Sequence, residues 1–290
     1  MHTDAEFLGL ERRDGPGRFH FVVADRLTRL DGRLYGGTAI AVSVTAAEQT
    51  SERSALWMTT QFVSSVAEGD EVEVLVEVLA PGKRTNQVRV TGTSSEGEVV
   101  FASLGATGHH RDGGLSGEFE HCPTVGPPSE ATRWDSPFAG LMRAAGIDLD
   151  LPEVPMDKGF NAVVELREPK VVHHPDHGPG RMCLWIRRRD RQEITPAMAS
   201  YLADVVPMSI ANACGVAAGG TSLDNSIRIG SFVPSEWILL DLRPHLAVGD
   251  YGHGAVHIWS EEGHLMATAS QTASMFRIDE MKLRWATGGK

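Results

Sequence analysis

Hydrophobic and polar residues alternate along this chain in two distinct periods, and the same order of periods occurs twice. In residues 71–78 (EVEVLVEV) valine holds every even position and glutamate most odd ones. That period of two predicts a strand whose valine face is buried. Residues 17–23, 57–63, 87–93 and 99–105 predict further strands, the last two joined by a turn at Ser95-Glu96-Gly97. Residues 38–49 (TAIAVSVTAAEQ), introduced by Leu34-Tyr35-Gly36-Gly37, are apolar nearly all round. A helix with no polar face to offer water must be buried.

The second occurrence lies in the C-terminal half. When Gly97 is laid over Gly263, residues 66–74 fall on 232–240 without a gap, and SSEGEVVFAS falls on SEEGHLMATA. The separation far exceeds the units of about 20–50 residues that build solenoids, so it predicts two copies of a whole domain. In the second copy, residues 161–168 and 181–188 predict strands. Thr195 followed by Pro196 marks a helix start, with Thr195 as N-cap. Met198, Leu202, Val205 and Val206 continue it at helical spacing, and Gly215 is its stop. Between the copies Gly113-Gly114, Gly126-Pro127-Pro128 and Pro137 interrupt regular structure, leaving room for a short helix over 137–145. The expected organisation is an N-terminal repeat (1–108), a connector (109–159) and a C-terminal repeat (160–290). Each repeat is expected to be an α+β unit, a long helix wrapped by an antiparallel sheet.

A chain of 290 residues has ample length for two such cores. Its 41% hydrophobic and 22% charged content is that of an ordinary globular protein. A net charge of -11 argues against nucleic-acid binding, which needs a basic face. The N-terminal segment lacks an apolar signal region, and no apolar run approaches a membrane span. Cys122, Cys183 and Cys214 are odd in number and scattered, which suits reduced thiols in a cytoplasm better than disulfides or zinc.

The segments SLDNSIRIGSFVPSEWILLDL and GHGAVHIWSEEGHLMATASQTASM resemble the second half of the type II acyl-CoA thioesterases, the TesB-like family. RLYGG resembles the approach to that family's first central helix, and MCLWIRRRD and TPAMASYLADVV fall in its order. The resemblance covers most of the chain. It implies a tandem, or double, hotdog: two long central helices wrapped by a joined, curved antiparallel sheet. It also implies hydrolysis of acyl-CoA to free acid and coenzyme A, with no cofactor and no metal. The family's site joins an Asp, a Thr or Ser, and a Gln around the attacking water. By position in the LDHS-type and ASxxQ-type segments, the resemblance implies Asp224 and Gln271 here. Gapless counting from Glu236-Trp237 puts His245 where the family has its hydroxyl residue, a departure from the pattern. Thr38 is a second departure, standing where the family often has Gln.

These residue types suit the chemistry. A thioester needs an oriented water, a base for its proton, and donors for the developing oxyanion. Asp224 offers the base, made stronger by burial in an apolar tunnel. Gln271 offers an amide to hold the water or the carbonyl, and His245 a further acid or base. Gly36 and Gly37 permit close backbone approach at a helix start, where an N–H can serve the oxyanion. Offset against the first copy, Asp224 lies over Met58 and Gln271 over Gly105, so the chemistry is expected in the C-terminal repeat. Each of these residues also has a structural reading: Asp224 as a turn residue, Gln271 as one polar face of a strand, His245 as a surface histidine, the glycines as a tight helix start.

Other readings remain beside the hydrolase. A non-hydrolytic acyl-CoA or acyl-ligand binding protein would explain the missing hydroxyl. An enoyl-CoA hydratase would carry Gly-Asp-x-Asn-Pro, which is absent, and Gly114-Leu115-Ser116-Gly117 falls short of a serine-hydrolase elbow. Arg187-Arg188-Arg189 with Arg191 offers charge for coenzyme A phosphates or a solvated strand end. The loop His173-His174-Pro175-Asp176-His177 has metal-binding residue types without a supporting pattern. The expected partner is acyl-CoA, with no nucleic acid and no membrane; a homodimer is compatible with the fold.

Overall fold

The computed structural model describes residues 3–134, 157–176 and 178–277. The short helix expected over 137–145 and residue His177 lie outside the described residues. In chain order the first half gives α1 (Asp4–Leu8), β1 (Glu11–Arg12), β2 (Arg18–Val22), α2 (Gly36–Ser51), β3 (Ser54–Phe62), β4 (Glu71–Ala80), β5 (Thr85–Ser94) and β6 (Val99–Gly108). Two short strands follow, β7 (Thr124–Val125) and β8 (Thr132–Arg133). The second half gives α3 (Gly159–Val163), β9 (Val164–Glu168), β10 (Val171–His173), β11 (Met182–Arg188), α4 (Pro196–Leu202), α5 (Val206–Cys214), β12 (Ala218–Ile229), β13 (Trp237–Val248), β14 (Tyr251–Ser260) and β15 (Leu265–Arg277).

Among the described residues, 13 of these strands form one antiparallel sheet in the order β1-β2-β4-β5-β6-β3-β12-β15-β14-β13-β11-β9-β8. The halves join where β3 pairs with β12, with Asn225 opposite Thr60 and Ile227 opposite Met58. Three of the four even-numbered valines of β4 behave as their pattern predicts, Val72, Val74 and Val76 being buried, whereas Val78 near the strand's end is exposed. Gly97 and Gly263, the turn glycines that superpose in the sequence, share one left-handed conformation (φ 85° and 86°).

The inner face of the sheet holds the helices. α2 is buried from Gly37 to Ala47, as an apolar helix must be. The second helix does not match the expectation of one long element. It starts as predicted, with the Thr195 hydroxyl accepting the Met198 N–H at 3.1 Å, and stops as predicted at left-handed Gly215. In between it breaks over residues 203–205. Pro207 is the physical reason: it has no N–H to give the Ala203 carbonyl, and its ring would collide with that carbonyl in a continuous helix. Residues 161–168, expected to be strand throughout, begin instead with the helical turn α3.

A smaller core covers the outer face of the C-terminal half. Cys183, Trp185, Trp237, Leu239 and Trp259 pack there under Cys122, Val125 and Ala131 of the connector. The Trp185 indole N–H donates to the Gly126 carbonyl at 2.9 Å. The ribbon β7–β10 ties the same segment down.

Candidate active site

The break in the second helix places Asp204 between α4 and α5. Its side chain is buried against the start of α2, and one carboxylate oxygen accepts the hydroxyl of Ser222, from β12, at 2.9 Å. The same oxygen accepts the side-chain amide N–H of Gln271, from β15. That amide also donates to the Ser222 hydroxyl oxygen at 2.6 Å. The Gly37 backbone N–H donates to the carboxylate as well. Tyr35, the residue capping α2, donates its hydroxyl to the Asp204 carbonyl at 3.1 Å.

Gly36 and Gly37 are required by this packing. A Cβ on Gly36 would collide with the Asp204 carboxylate, and one on Gly37 with the Tyr201 carbonyl. Burial pushes the Asp204 carboxyl up to about 7; hydrogen bonds from Ser222, Gly37 and Gln271 hold it from going higher. The site therefore contains a carboxylate that gains and loses its proton near neutrality, a hydroxyl, and an amide whose own oxygen is buried with no partner among the described residues.

The structure brings Gln271, Gly36 and Gly37 around one carboxylate. It joins them through Asp204 and not through Asp224. In β12, Asn225 lies opposite Gln271, and Asp224 opposite Thr272. Successive strand residues point to opposite faces, so Asp224 faces away from Gln271. Its carboxylate accepts the Thr272 backbone N–H at 2.9 Å. His245 is exposed where β13 bulges between Pro244 and Leu246. Its ring lies 5.3 Å from that of His253, which is paired with Thr272 on the outer face. Partial burial, helped by His253, Arg181 and Arg243, makes His245 harder to protonate. Thr38 is buried and gives its hydroxyl to the Leu27 carbonyl at 2.9 Å.

Comparison with known proteins gives the chain's family. Residues 24–107 match the model of the acyl-CoA thioesterase N-terminal domain, and residues 120–275 that of the acyl-CoA thioesterase C-terminal domain. The chain belongs to the acyl-CoA thioesterase family. It is a thioester hydrolase. Among solved structures, a candidate thioesterase from Novosphingobium aromaticivorans is 28% identical, with a TM-score of 0.76 over 91% of this chain and 97% of that one. A hot dog fold protein of unknown function from Alicyclobacillus acidocaldarius is 18% identical, with a TM-score of 0.77 over 95% and 98%. The acyl-CoA thioesterase II TesB2 from Mycobacterium marinum is 19% identical, with a TM-score of 0.71 over 95% and 98%. The last two likenesses establish the hotdog fold alone. Comparison with curated protein sequences finds no match.

Two other clusters in this thioesterase serve the scaffold. Arg187 pairs with Glu165 at 2.8 Å, Arg188 with Asp190, and Arg189 donates to the Asn161 carbonyl at 3.1 Å; these three are engaged within the chain, and Arg191 is exposed. His174, Cys183 and Asp241 place ligand-type atoms within 4.8 Å of one another. A metal-bound Nε2 needs the proton on Nδ1. Here Nδ1 accepts the Asp176 backbone N–H at 3.1 Å, which leaves the proton on Nε2, 2.7 Å from Asp241. Arg243 takes the other Asp241 oxygen at 2.7 Å. The set is a buried Asp241–Arg243 ion pair to which the neutral His174 ring adds a donor, and it fixes the loop after β10 to the sheet. No helix among the described residues is long and apolar enough to cross a membrane.

Asp204 and Ser222 are the members of this buried cluster that the sequence reading passed over. A signal for Asp204 existed: it is the one carboxylate in the apolar stretch 194–211, three residues before a proline. Ser222 stood two residues before Asp224 in the same SLDNS segment.

Proposed function

We propose that the chain hydrolyses acyl-CoA thioesters to free acid and coenzyme A with a water activated by Asp204, Ser222 and Gln271. One observation carries this reading: a buried carboxylate that titrates near neutrality receives both a hydroxyl and an amide N–H at a helix break. Asp204 takes the water's proton, and a base poised near working pH does so most effectively. The Gln271 side-chain oxygen, lacking a protein partner among the described residues, accepts the water's second hydrogen and fixes its direction. The start of α2 lends its positive end to the oxyanion as negative charge develops on the thioester oxygen. The proton held by Asp204 then passes to the departing thiolate.

The same reading makes residues 1–108 a scaffold repeat, 109–159 a connector and 160–290 the repeat that carries chemistry, together a double hotdog. Cytoplasmic residence and a homodimer fit it. The non-hydrolytic alternative loses its motive, since Ser222 supplies the hydroxyl that His245 lacked. Thiol release from a series of acyl-CoA substrates tests the proposal. Asp204→Asn is expected to lower kcat by at least about 100-fold, the scale of a lost general base. Asp224→Asn should remain near wild type. Equal loss in both variants, or loss only in Asp224→Asn, overturns the assignment.

A further inference from the structure

We infer that Asn225 makes this thioesterase selective for acyl chains bearing a hydroxyl close to the thioester. The inference rests on the site proposed above.

Asn225 is fully buried, at 0% exposure. Neither its side-chain oxygen nor its side-chain nitrogen has a hydrogen-bond partner among the described residues. It lies directly opposite Gln271 on one side and Thr60 on the other, so all three side chains occupy the inner face of the sheet. Three buried, unpartnered polar atoms thus fall on two neighbouring residues: both of Asn225 and the side-chain oxygen of Gln271.

Beyond them the stripe is satisfied. The Thr60 and Ser103 hydroxyls lie 2.8 Å apart, as do those of Ser103 and Ser43. The unmet demand is confined to the strand beside the reacting groups. Neighbouring strands are about 4.8 Å apart, and Asn225 and Gln271 do not bond each other. With one lone pair of the Gln271 oxygen given to the attacking water, that oxygen's second lone pair and the Asn225 amide ask for a further oxygen between them, accepting from the Asn225 N–H and donating to the Gln271 oxygen. A carbonyl cannot donate; a hydroxyl or a water can do both. A plain alkyl chain laid over Asn225 would leave its amide buried and unpaired, which is strongly unfavourable. A hydroxyl two or three carbons from the thioester would meet the demand. It would sit between Gln271 and Asn225, on the side of Gln271 toward the N-terminal half.

The test compares kcat/KM for thiol release from saturated acyl-CoA and 3-hydroxyacyl-CoA of equal length, at four, six and eight carbons. The wild-type chain is expected to prefer the hydroxylated member of at least one pair by about tenfold or more. Asn225→Leu, similar in size and apolar, should erase or reverse that preference. Loss should fall on the hydroxyacyl substrate and gain on the saturated one. Wild-type turnover with no preference at any length identifies the occupant as a water and overturns the inference while leaving the hydrolase intact. So does an Asn225→Leu variant that turns over with an unchanged ratio. Absence of thiol release from every substrate overturns this inference together with the proposed mechanism. If Asn225→Leu does not fold, the wild-type ratio alone decides.

Discussion

Gly36 and Asp204 face each other across the gap between two helices, and the carboxylate fills the space that a side chain on Gly36 would need. The contact couples the helix start of the first half to the helix break of the second. It sets how deeply Asp204 sits and keeps the Gly37 N–H within reach of it. Gly36→Ala is therefore expected to push the carboxylate away from Ser222 and Gln271. Misplacing a reacting group by about 1 Å costs on the order of 100-fold, so kcat should fall by roughly that factor. Circular dichroism should show an unchanged secondary structure, because an added methyl group disturbs packing by only about 1–3 kcal/mol. Activity within a few-fold of wild type would mean the site tolerates the displacement.

The pH dependence of kcat/KM reports the base directly. Asp204 must be ionised to take a proton, and burial sets its pKa at about 7. Activity should rise with pH and level off above an inflection near neutrality. The Ser222 hydroxyl bonds the ionised form, which lowers the pKa from where burial alone would put it. Ser222→Ala should move the inflection upward as well as reduce the plateau. A profile whose inflection stays in place in Ser222→Ala would assign it to another group.

Which parts of this molecule the sequence discloses follows from how local their causes are. The Val-Glu alternation of β4, the all-apolar α2 and the Thr195-Pro196 start each depend on a few adjacent residues, and all three match the structure. The pairing of Gln271 with its carboxylate depends on two non-local details. One is a bulge in β12 between Ser222 and Asp224, which turns Ser222 and Asn225 inward although they stand three apart. A bulge shifts the face of every residue beyond it, so alternation counted from Asp224 misleads. The other is the break at residues 203–205. Periodicity through Leu202, Val205 and Val206 reads as an unbroken helix, and only Pro207 contradicts it.

Stability should carry the mark of the same buried carboxylate. In the unfolded chain an aspartate ionises near 3.8, whereas Asp204 in the folded protein does so at about 7. Between those values the folded state binds the extra proton, so its stability falls as pH rises through that window and is level above it. Asp204→Asn removes the titrating group and should flatten this decline. Denaturant unfolding at several pH values from about 3 to about 8 would show the difference between the two proteins shrinking toward low pH. If the variant loses stability with pH as steeply as wild type over that window, Asp204 is not the group responsible.

His174 offers a control far from the chemistry. Its Nε2–H meets Asp241 at 2.7 Å, and Asp241 is completely buried with Arg243 on its other oxygen. Removing the imidazole leaves one lone pair set of a buried carboxylate without its donor, and an unsatisfied buried charge is more costly than a lost surface pair. His174→Ala should lower unfolding stability by about 1–3 kcal/mol and loosen the segment that covers Trp185 and Trp259. Faster amide exchange at Trp185 and its neighbours on β11 would reveal the loosening. The bonds among Asp204, Ser222 and Gln271 lie on the other face of the sheet, so kcat and its pH inflection should hold. A large fall in kcat at a temperature where His174→Ala remains folded would show that the outer-face ion pair and the inner-face carboxylate are mechanically coupled through β13.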